Sequence, residues 1–221
     1  MRHFDEIFEI SAGRKGGAEA LEAMLDHPKP AAELTAIPDD RWLSQMTRSI
    51  FQAGFNWKVV DNMWPGFETV FHGFDVGRCR MLSDEDIDAM VSDSRIIRNG
   101  MKIRSVRDNA IFLAELAAEA GSAAQLFGTW PAEDYVDLVL MLKQRGSRLG
   151  GNSGPYFLRF MGVDSFILSR DVTARLIAEG VIDKTPSSQK AQRAVQEAFN
   201  IWRGQSGRSL TEISKVLAYS I

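Results

Sequence analysis

The sequence predicts a compact all-α fold of about ten helices, with one domain spanning residues 1–221. Apolar side chains recur at helical spacing along nearly the whole chain, and the alternating pattern of a β-strand is absent. Proline and glycine separate the periodic segments, as expected at helix ends. No linker, repeat or low-complexity segment divides the chain, whose length suits one full core or two interlocked halves.

Individual residues mark where helices begin and end. Pro38 suits the first turn of a helix, and the acids after it complement the helix dipole. Trp64-Pro65-Gly66 should interrupt the next helix, because proline lacks the amide donor. Ser83 is a typical N-cap, and Gly121 should stop a long helix. The expected helices are residues 18–25, the three segments marked by Pro38, Pro65 and Ser83, and residues 102–120, 130–142, 156–161, 171–179, 187–203 and 210–219.

The last two of these helices carry apolar stripes and no chemistry that the sequence reveals. We expect the stripes to cover the core, because side chains three or four residues apart share one face of a helix. Their members are Val195, Phe199, Trp202, Ile213, Val216 and Leu217.

Composition excludes several classes of protein. No apolar run reaches the roughly 18 residues that a membrane span needs, and the N-terminal residues lack the apolar core of a signal peptide. We therefore expect a cytoplasmic protein without a membrane partner. The lone Cys79 excludes a disulfide framework, and none of the three histidines has metal-ligand spacing with it. No metal ligands, and no structural zinc, are expected.

Charge is distributed unevenly, although the net charge is only −3. Residues 1–40 contain four basic and nine acidic side chains, whereas residues 143–175 contain six basic and two acidic ones. Residues 95–107 contain five basic side chains and no acid. Such a chain can present a basic face to a polyanion while it stays acidic as a whole. Solvated helix faces explain the same counts, so charge alone leaves nucleic-acid binding open.

A glycine-rich segment between two expected helices is the most informative motif. Residues 142–161 indicate a helix, a hairpin around Leu149-Gly150-Gly151-Asn152-Ser153-Gly154, and a second helix. Backbone N–H groups without side chains beside them, at the start of a helix, form a site for phosphate. Asp171 follows the hairpin at the beginning of another expected helix, where it could act on whatever the phosphate contact positions.

This segment resembles the helix-hairpin-helix element of the DNA glycosylase superfamily, in which a loop and an aspartate follow the hairpin. Asp171 occupies the aspartate position after the loop Phe166–Ser169. A narrower resemblance, over roughly residues 45–165, is to the 3-methyladenine DNA glycosylase I family. It is carried by Phe51-Gln52-Ala53-Gly54-Phe55-Asn56-Trp57, by Arg95-Ile96-Ile97-Arg98-Asn99 with Lys102-Ile103, and by Asn109-Ala110.

The chain departs from that family at two points. The family carries a glutamate eight residues before the motif tryptophan, where this chain has Ser49. The family also binds a zinc ion through cysteine and histidine pairs that this chain lacks. Neither the base preference nor the zinc is therefore carried over, and the chain resembles a divergent member that mixes the two patterns.

The resemblance implies a set of base-binding residues. Trp57 would stack on an extruded, electron-poor base, and Phe55 would be the wedge that enters the duplex. Gln52 would bond the vacated or opposite base, and Ser49 would weaken discrimination for a methylated purine. Ordinary explanations also fit: two core aromatic residues, a surface glutamine, and a small residue that permits close helix packing.

Asp171 is the candidate catalytic residue. A carboxylate beside the sugar can stabilise an oxocarbenium-like transition state and orient the attacking water. An aspartate at a helix start is also a preferred cap, and Asp164 in the preceding turn is the alternative candidate.

The hairpin residues are the candidate phosphate ligands. Arg148 would attract the phosphate, while Gly151, Ser153 and Gly154 would donate backbone N–H groups to it. The superfamily resemblance allows a monovalent cation at the hairpin, and no other cofactor is expected. Pro155 stands where strand-cleaving members carry a lysine, so no amine is available for a Schiff base.

These observations predict a monomeric, monofunctional DNA glycosylase that removes alkylated, 3-methyladenine-like purines from double-stranded DNA in base excision repair. The alternative is a catalytically silent DNA-damage-binding protein of the same fold, which Ser49 and the missing zinc ligands favour. A third interpretation is a protein-interaction module whose glycine hairpin is only a turn. The uneven charge counts against it.

Overall fold

A computed structural model describes all residues, 1–221, and contains fourteen α-helices, two short 3₁₀ helices and no strand. The all-α prediction is confirmed, but ten helices was too low a number because several helices are too short to show an apolar repeat. None of the helices has both the length and the hydropathy to span a membrane. The α-helices are α1 Phe4–Lys15, α2 Ala18–Glu22, α3 Ala31–Thr35, α4 Asp39–Gln52, α5 Trp57–Val70, α6 Val76–Cys79, α7 Asp84–Val91, α8 Gly100–Ala120, α9 Ala123–Gly128, α10 Tyr135–Arg145, α11 Ser153–Met161, α12 Arg170–Ala178, α13 Gln189–Ser206 and α14 Leu210–Tyr219.

Capping residues explain several helix ends. Ser83 and Asp86 form a capping box at the start of α7, each accepting a hydrogen bond from the other's backbone N–H group. Asn99 accepts a bond from the Lys102 N–H group and begins α8, which ends at Gly121 with φ +86°. A side chain at that φ is strained, so the glycine permits the chain to turn away there.

The predicted interruption at Pro65 is wrong, because α5 runs through this residue without a break. Proline inside a helix costs about 3 kcal/mol, so another contribution must offset it. The ring of Trp64 stacks on Phe67 at 4.9 Å and on Phe74 at 5.5 Å between centroids, and all three side chains are buried. Burial of this aromatic stack keeps the helix continuous.

The chain divides into two compact units, each built from segments that are discontinuous in sequence. One glycosylase-like domain over residues 1–221 therefore stays a prediction. The first unit comprises Met1–Lys29, Pro131–Leu138 and Gly162–Ile221, and the second comprises Pro30–Trp130 and Val139–Met161.

In the first unit, α1 packs against α2, α13 and α14, and α12 packs against α14. Phe166 stacks on Phe199 with 4.2 Å between ring centroids, and Tyr135 meets the edge of Phe166. The predicted apolar stripes of the last two helices are confirmed as core, because every member is fully buried: Val195, Phe199, Trp202, Ile213, Val216 and Leu217.

In the second unit, α4 is the central helix and contacts α5, α8, α9 and α11. Its Trp42 ring packs 5.1 Å from Phe127 and 5.8 Å from Phe157, and all three rings are buried. This packing brings α4 together with α11, the helix that follows the glycine hairpin.

Candidate functional site

The glycine hairpin connects α10 and α11, as the sequence predicts. The Gly146 N–H group donates to Leu142 O at 3.0 Å and ends α10, and α11 already begins at Ser153. Gly154 has no room for a side chain, because a Cβ atom there would lie 2.6 Å from Leu149 O. Gly151 has φ +60°, which glycine adopts without strain.

A buried asparagine of α8 fixes the hairpin. The Asn109 side-chain amide donates to Ser147 O at 3.0 Å, and the Ser147 N–H group donates back to Asn109 Oδ1 at 2.8 Å. Asn109 has no exposed surface, so both of these bonds are shielded from water. The sequence marked Asn109 only as part of a motif, because nothing in the chain order pairs it with residue 147.

An open recess of about 300 Å³ lies between the end of α4, α8 and the hairpin. Two of its lining side chains, Lys102 and Arg148, are basic, and none is acidic. Arg148 has φ +61°, a strained conformation for a residue with a side chain, and its guanidinium group has no carboxylate partner. The recess is therefore suited to an anion. It is lined by Ile50, Ala53, Lys102, Arg148, Gly150 and Ser153.

Lys102 is the buried cation of this recess, with only 5% of its surface exposed. Its Nζ donates to Phe51 O at 3.2 Å and to Ala53 O at 2.7 Å, which are carbonyl groups at the C-terminal end of α4. Burial lowers the pKa of Lys102, and the charge of Arg148 lowers that pKa further. Lys102 carries three N–H donors, and the backbone carbonyl groups use two of them.

Trp57 and Phe55 lie at the surface of the second unit, with 42% and 44% of their area exposed. Trp57 begins α5, which Asn56 caps by accepting a bond from the Lys58 N–H group. Its ring meets Tyr156 and Phe160 of α11 edge to face, at 5.4 and 5.8 Å between centroids. Neither Trp57 nor Phe55 is a buried core residue.

Ser49 and Gln52 are buried on α4, with 4% and 5% of their surface exposed. Ser49 Oγ accepts a hydrogen bond from the Gln45 amide at 3.3 Å. The Gln52 amide donates to Asp61 Oδ1 of α5 at 3.1 Å. Gln52 is therefore not a surface glutamine, and Asp61 is a partner that the sequence did not indicate.

The two candidate carboxylates lie in the first unit and differ in their surroundings. Asp171 is in the first turn of α12, but Ser169 is the cap of that helix. The Asp171 side chain is 43% exposed and pairs with Arg170 at 3.2 Å. Asp164 instead accepts the backbone N–H groups of Leu210 and Thr211 at 3.1 and 2.9 Å. Both oxygens of the Asp164 carboxylate thus accept hydrogen bonds at the start of α14, whereas the Asp171 carboxylate is accessible to solvent.

The other eight predicted site residues all belong to the second unit. Their individual roles stay predictions. They are Ser49, Gln52, Phe55, Trp57, Arg148, Gly151, Ser153 and Gly154.

No three His, Cys, Asp or Glu side chains gather in a way that could hold a metal ion. Cys79 is buried, its thiol donates to Phe71 O at 3.3 Å, and burial raises its pKa to about 12. Such a thiol stays protonated at neutral pH. The expectations of no zinc and no cofactor stay predictions.

Residues 35–139 match a protein family described as methyladenine glycosylase. DNA-3-methyladenine glycosylase 1 of Escherichia coli (strain K12) is 34% identical over 59 residues, which are 27% of this chain. That match spans about a third of the length of the curated relative, at 32%.

Two solved structures show a similar fold. A single-residue variant of 3-methyladenine DNA glycosylase I in complex with 3-methyladenine has a TM-score of 0.51 at 14% identity, over 66% of this chain and 84% of that one. The structure of 3-methyladenine DNA glycosylase I from Staphylococcus aureus has a TM-score of 0.50 at 14% identity, over 66% and 83% of the two chains. The matched segment holds the surface tryptophan, the buried lysine and the asparagine that fixes the hairpin. Residues 35–139 of this chain are therefore similar to the methyladenine glycosylase family, in agreement with the resemblance seen in the sequence.

Proposed function

We propose that this protein is a DNA glycosylase that hydrolyses the N-glycosidic bond of alkylated, 3-methyladenine-like purines in double-stranded DNA. The family of residues 35–139 and the fold support this function. The observation that carries it is the placement of Trp57. This half-exposed ring is held edge-on by α11, and Ser153, the first residue of α11, lines the basic recess. The proposed base-binding residue Trp57 and the proposed phosphate site are thus both in contact with α11.

The proposed phosphate-binding site consists of the hairpin and the recess beside it. Gly151, Ser153 and Gly154 offer backbone N–H groups, and Arg148 supplies a charge that no carboxylate neutralises. Lys102 adds a second charge and a free donor from the opposite wall. A phosphate bound here fixes the register of the duplex but carries no sequence information.

The two exposed aromatic residues have separate roles in this proposal: Phe55 fills the gap in the duplex, and Trp57 stacks on the extruded base. Phe55 follows Gly54, whose φ of +75° lets the loop turn outward after α4. An apolar side chain in that place can fill the gap that an extruded base leaves and offset part of the unstacking cost, which is about a few kcal/mol. Trp57 then offers its exposed ring surface to the base. An alkylated purine is electron-poor, so it is attracted to the indole ring.

Hydrolysis breaks the bond between the base and C1′ of the deoxyribose. The bonding electrons leave with the alkylated purine, and water adds to C1′ and loses a proton. We assign Asp171 to stabilise the developing positive charge and to accept that proton, because its carboxylate is accessible while that of Asp164 is engaged. Pro155 offers no amine, so the product is an abasic site in an intact strand.

Release of free base from methylated duplex DNA tests this function. We expect the wild-type protein to release 3-methyladenine and leave the strand uncut. Asp171→Asn should lower the release rate by about a hundredfold while binding to an abasic-analogue duplex stays unchanged. Unchanged release by Asp171→Asn would overturn the role of Asp171 alone. No release by the wild type from any alkylated substrate would overturn the function.

One observation favours a catalytically silent DNA-damage-binding protein as the second candidate. Ser49 stands where the family resemblance places a glutamate, and its hydroxyl is buried against Gln45 rather than open to a base. This candidate predicts salt-sensitive binding to an abasic-analogue duplex without release of any base.

We also propose that the protein is a monomer that acts in the cytoplasm. Light scattering of the purified chain tests the first statement, and fractionation of the source cells tests the second. A stable dimer or a membrane-bound pool would contradict them.

A further inference from the structure

Two buried polar atoms on one face of α4 have no hydrogen-bond partner: Gln52 Oε1 and Arg48 Nε. Residues four apart lie on the same side of a helix, so the two side chains are neighbours. Nearly all buried polar groups in folded proteins are paired, and each exception calls for an explanation. An atom that lacks a partner in the free protein is a candidate to receive one from a ligand.

Asp61 decides which atom of Gln52 remains unpaired. Its Oδ1 lies 3.1 Å from Gln52 Nε2 and 3.8 Å from Arg48 Nε. An ionised carboxylate only accepts hydrogen bonds, so the amide must turn its NH₂ group toward Asp61. The carbonyl oxygen of Gln52 therefore points away from Asp61 and has no partner.

The cluster of Arg48, Asp61 and Gln52 rests on the buried aromatic stack. The Arg48 guanidinium lies 4.5 Å from the centroid of the Trp64 ring, and Trp64 Nε1 donates to Glu68 at 3.2 Å. Trp64 is 7% exposed, so this support is rigid. The Asp61 carboxylate lies 3.8 Å from Arg48 Nε and accepts the hydrogen bond that holds the Gln52 amide in one orientation.

We propose that Asp61 is a positioning residue that fixes the Gln52 carbonyl as acceptor for the exocyclic amino group of an adenine-type base. The inference rests on the proposed glycosylase function and names its substrate class. Ser49, one turn earlier on α4, supplies no acid, and Gln52 supplies a neutral acceptor instead. The base would reach it beside the exposed loop 53–56, which follows Gln52 directly.

The extruded base is a better partner for Gln52 than the base left in the duplex. A residue that fills the duplex gap must project from the surface, and Phe55 does so with 44% of its area exposed. Gln52 is only 5% exposed and does not project in this way. A buried acceptor of fixed orientation discriminates strongly between a base that donates and one that accepts at the same position.

Binding of two free bases tests this assignment. We would titrate the protein with 3-methyladenine and with 3-methylhypoxanthine, which carry an amino group and a carbonyl oxygen at the same ring position. Calorimetry gives both dissociation constants. The wild type should prefer 3-methyladenine by roughly tenfold or more, because 3-methylhypoxanthine would place two acceptors against each other.

Asp61→Asn should reduce that preference to within about threefold, since an asparagine can donate as well as accept and lets the Gln52 amide reverse. Gln52→Leu should weaken binding of 3-methyladenine and leave 3-methylhypoxanthine nearly unchanged. Asp137→Asn, which removes one exposed ion pair with Arg193 in the first unit, is the matched control and should keep the wild-type preference.

Three results would overturn the inference. If Asp61→Asn keeps the preference, Asp61 does not set the orientation of the Gln52 carbonyl. If Asp61→Asn weakens both bases equally, Asp61 only supports the fold. If the wild type binds neither base and releases none from DNA, the proposed function fails first and this inference fails with it.

Discussion

A single buried asparagine holds the glycine hairpin to the longest helix of the second unit. Asn109 exchanges two hydrogen bonds with the backbone of Ser147, so the hairpin keeps its shape without a ligand. The hairpin backbone is therefore held in place in the free protein. Preorganised donors of this kind lose little entropy on binding.

Asn109→Ala should lower the free energy of unfolding by about 2 kcal/mol, because the Ser147 backbone groups would be left without their partner. It should also weaken DNA binding through disorder of the hairpin. Denaturant unfolding and a binding titration measure the two effects. Asn62→Ala, at an exposed position of α5, is the control and should change neither. Wild-type stability of Asn109→Ala would contradict the anchoring role.

Gly154→Ala and Gly13→Ala should change stability in opposite directions. A Cβ atom at Gly154 would lie 2.6 Å from Leu149 O, so the alanine should destabilise the protein by about 1–3 kcal/mol. Gly13 lies inside α1 with nothing within 4 Å, and alanine there should stabilise by about 0.5–1 kcal/mol. Thermal unfolding of both variants measures this. Equal shifts in the melting temperature of the two variants would contradict the close contact between position 154 and Leu149 O.

At the scale of elements, Lys102 connects α8 to the C-terminal end of α4. The carbonyl groups at a helix C-terminus attract a cation, and here the cation is nine-tenths buried. The same side chain lies 4.8 Å from the ring centroid of Phe55, so it also supports the exposed loop after α4. Lys102 thus contacts both the recess and Phe55, the proposed wedge residue.

Lys102→Met should weaken binding to duplex DNA by about tenfold and make that binding less dependent on salt, because one phosphate contact is lost. Arg104→Met, on the same helix but exposed and paired with Asp84, is the matched control and should have a smaller effect. Equal effects of the two variants would mean that only the overall charge matters.

The charge of Lys102 also predicts a pH dependence. Its pKa is lowered below the ordinary 10.5, and the charge is present below the folded-state pKa and lost as the pH rises through it. The affinity difference between the wild type and Lys102→Met should therefore narrow as the pH approaches 10.5 from below. A difference that stays constant up to that pH would contradict a charged role.

Some elements could be predicted from local signals and others could not. The hairpin followed from its glycines, and α7 from Ser83, because these signals act within a few residues. The continuity of α5 through Pro65 depends on a ring stack that includes Phe74, outside that helix, so no local signal could reveal it. The pairing of Asn109 with Ser147 likewise depends on tertiary packing.

At the scale of the whole molecule, the sequence predicted one site for all candidate residues, but these residues belong to two different compact units. Trp57, Arg148 and the hairpin belong to the second unit, and Asp171 belongs to the first. The units are built from interleaved segments, so distance along the chain does not report which unit a residue joins. Sequence alone indicated the family resemblance and named Trp57 and Phe55 as candidate base-binding residues, but it did not reveal their exposure or the recess around Lys102.

The uneven charge is also a property of the whole chain. The net charge is −3, yet the lining of the recess holds two basic side chains and no acid. A local field can therefore attract DNA although the chain as a whole is acidic. This explains why net charge alone could not exclude a nucleic-acid partner.

The most direct measurement is the rate at which 3-methyladenine leaves methylated duplex DNA in the presence of wild-type protein and of Trp57→Ala. We expect release by the wild type and a rate lower by about a hundredfold for Trp57→Ala, with only a small loss of thermal stability from the contacts with Tyr156 and Phe160, because Trp57 is 42% exposed. Equal rates for the two proteins, or no release by either, would contradict the assignment of Trp57 as the platform for the extruded base.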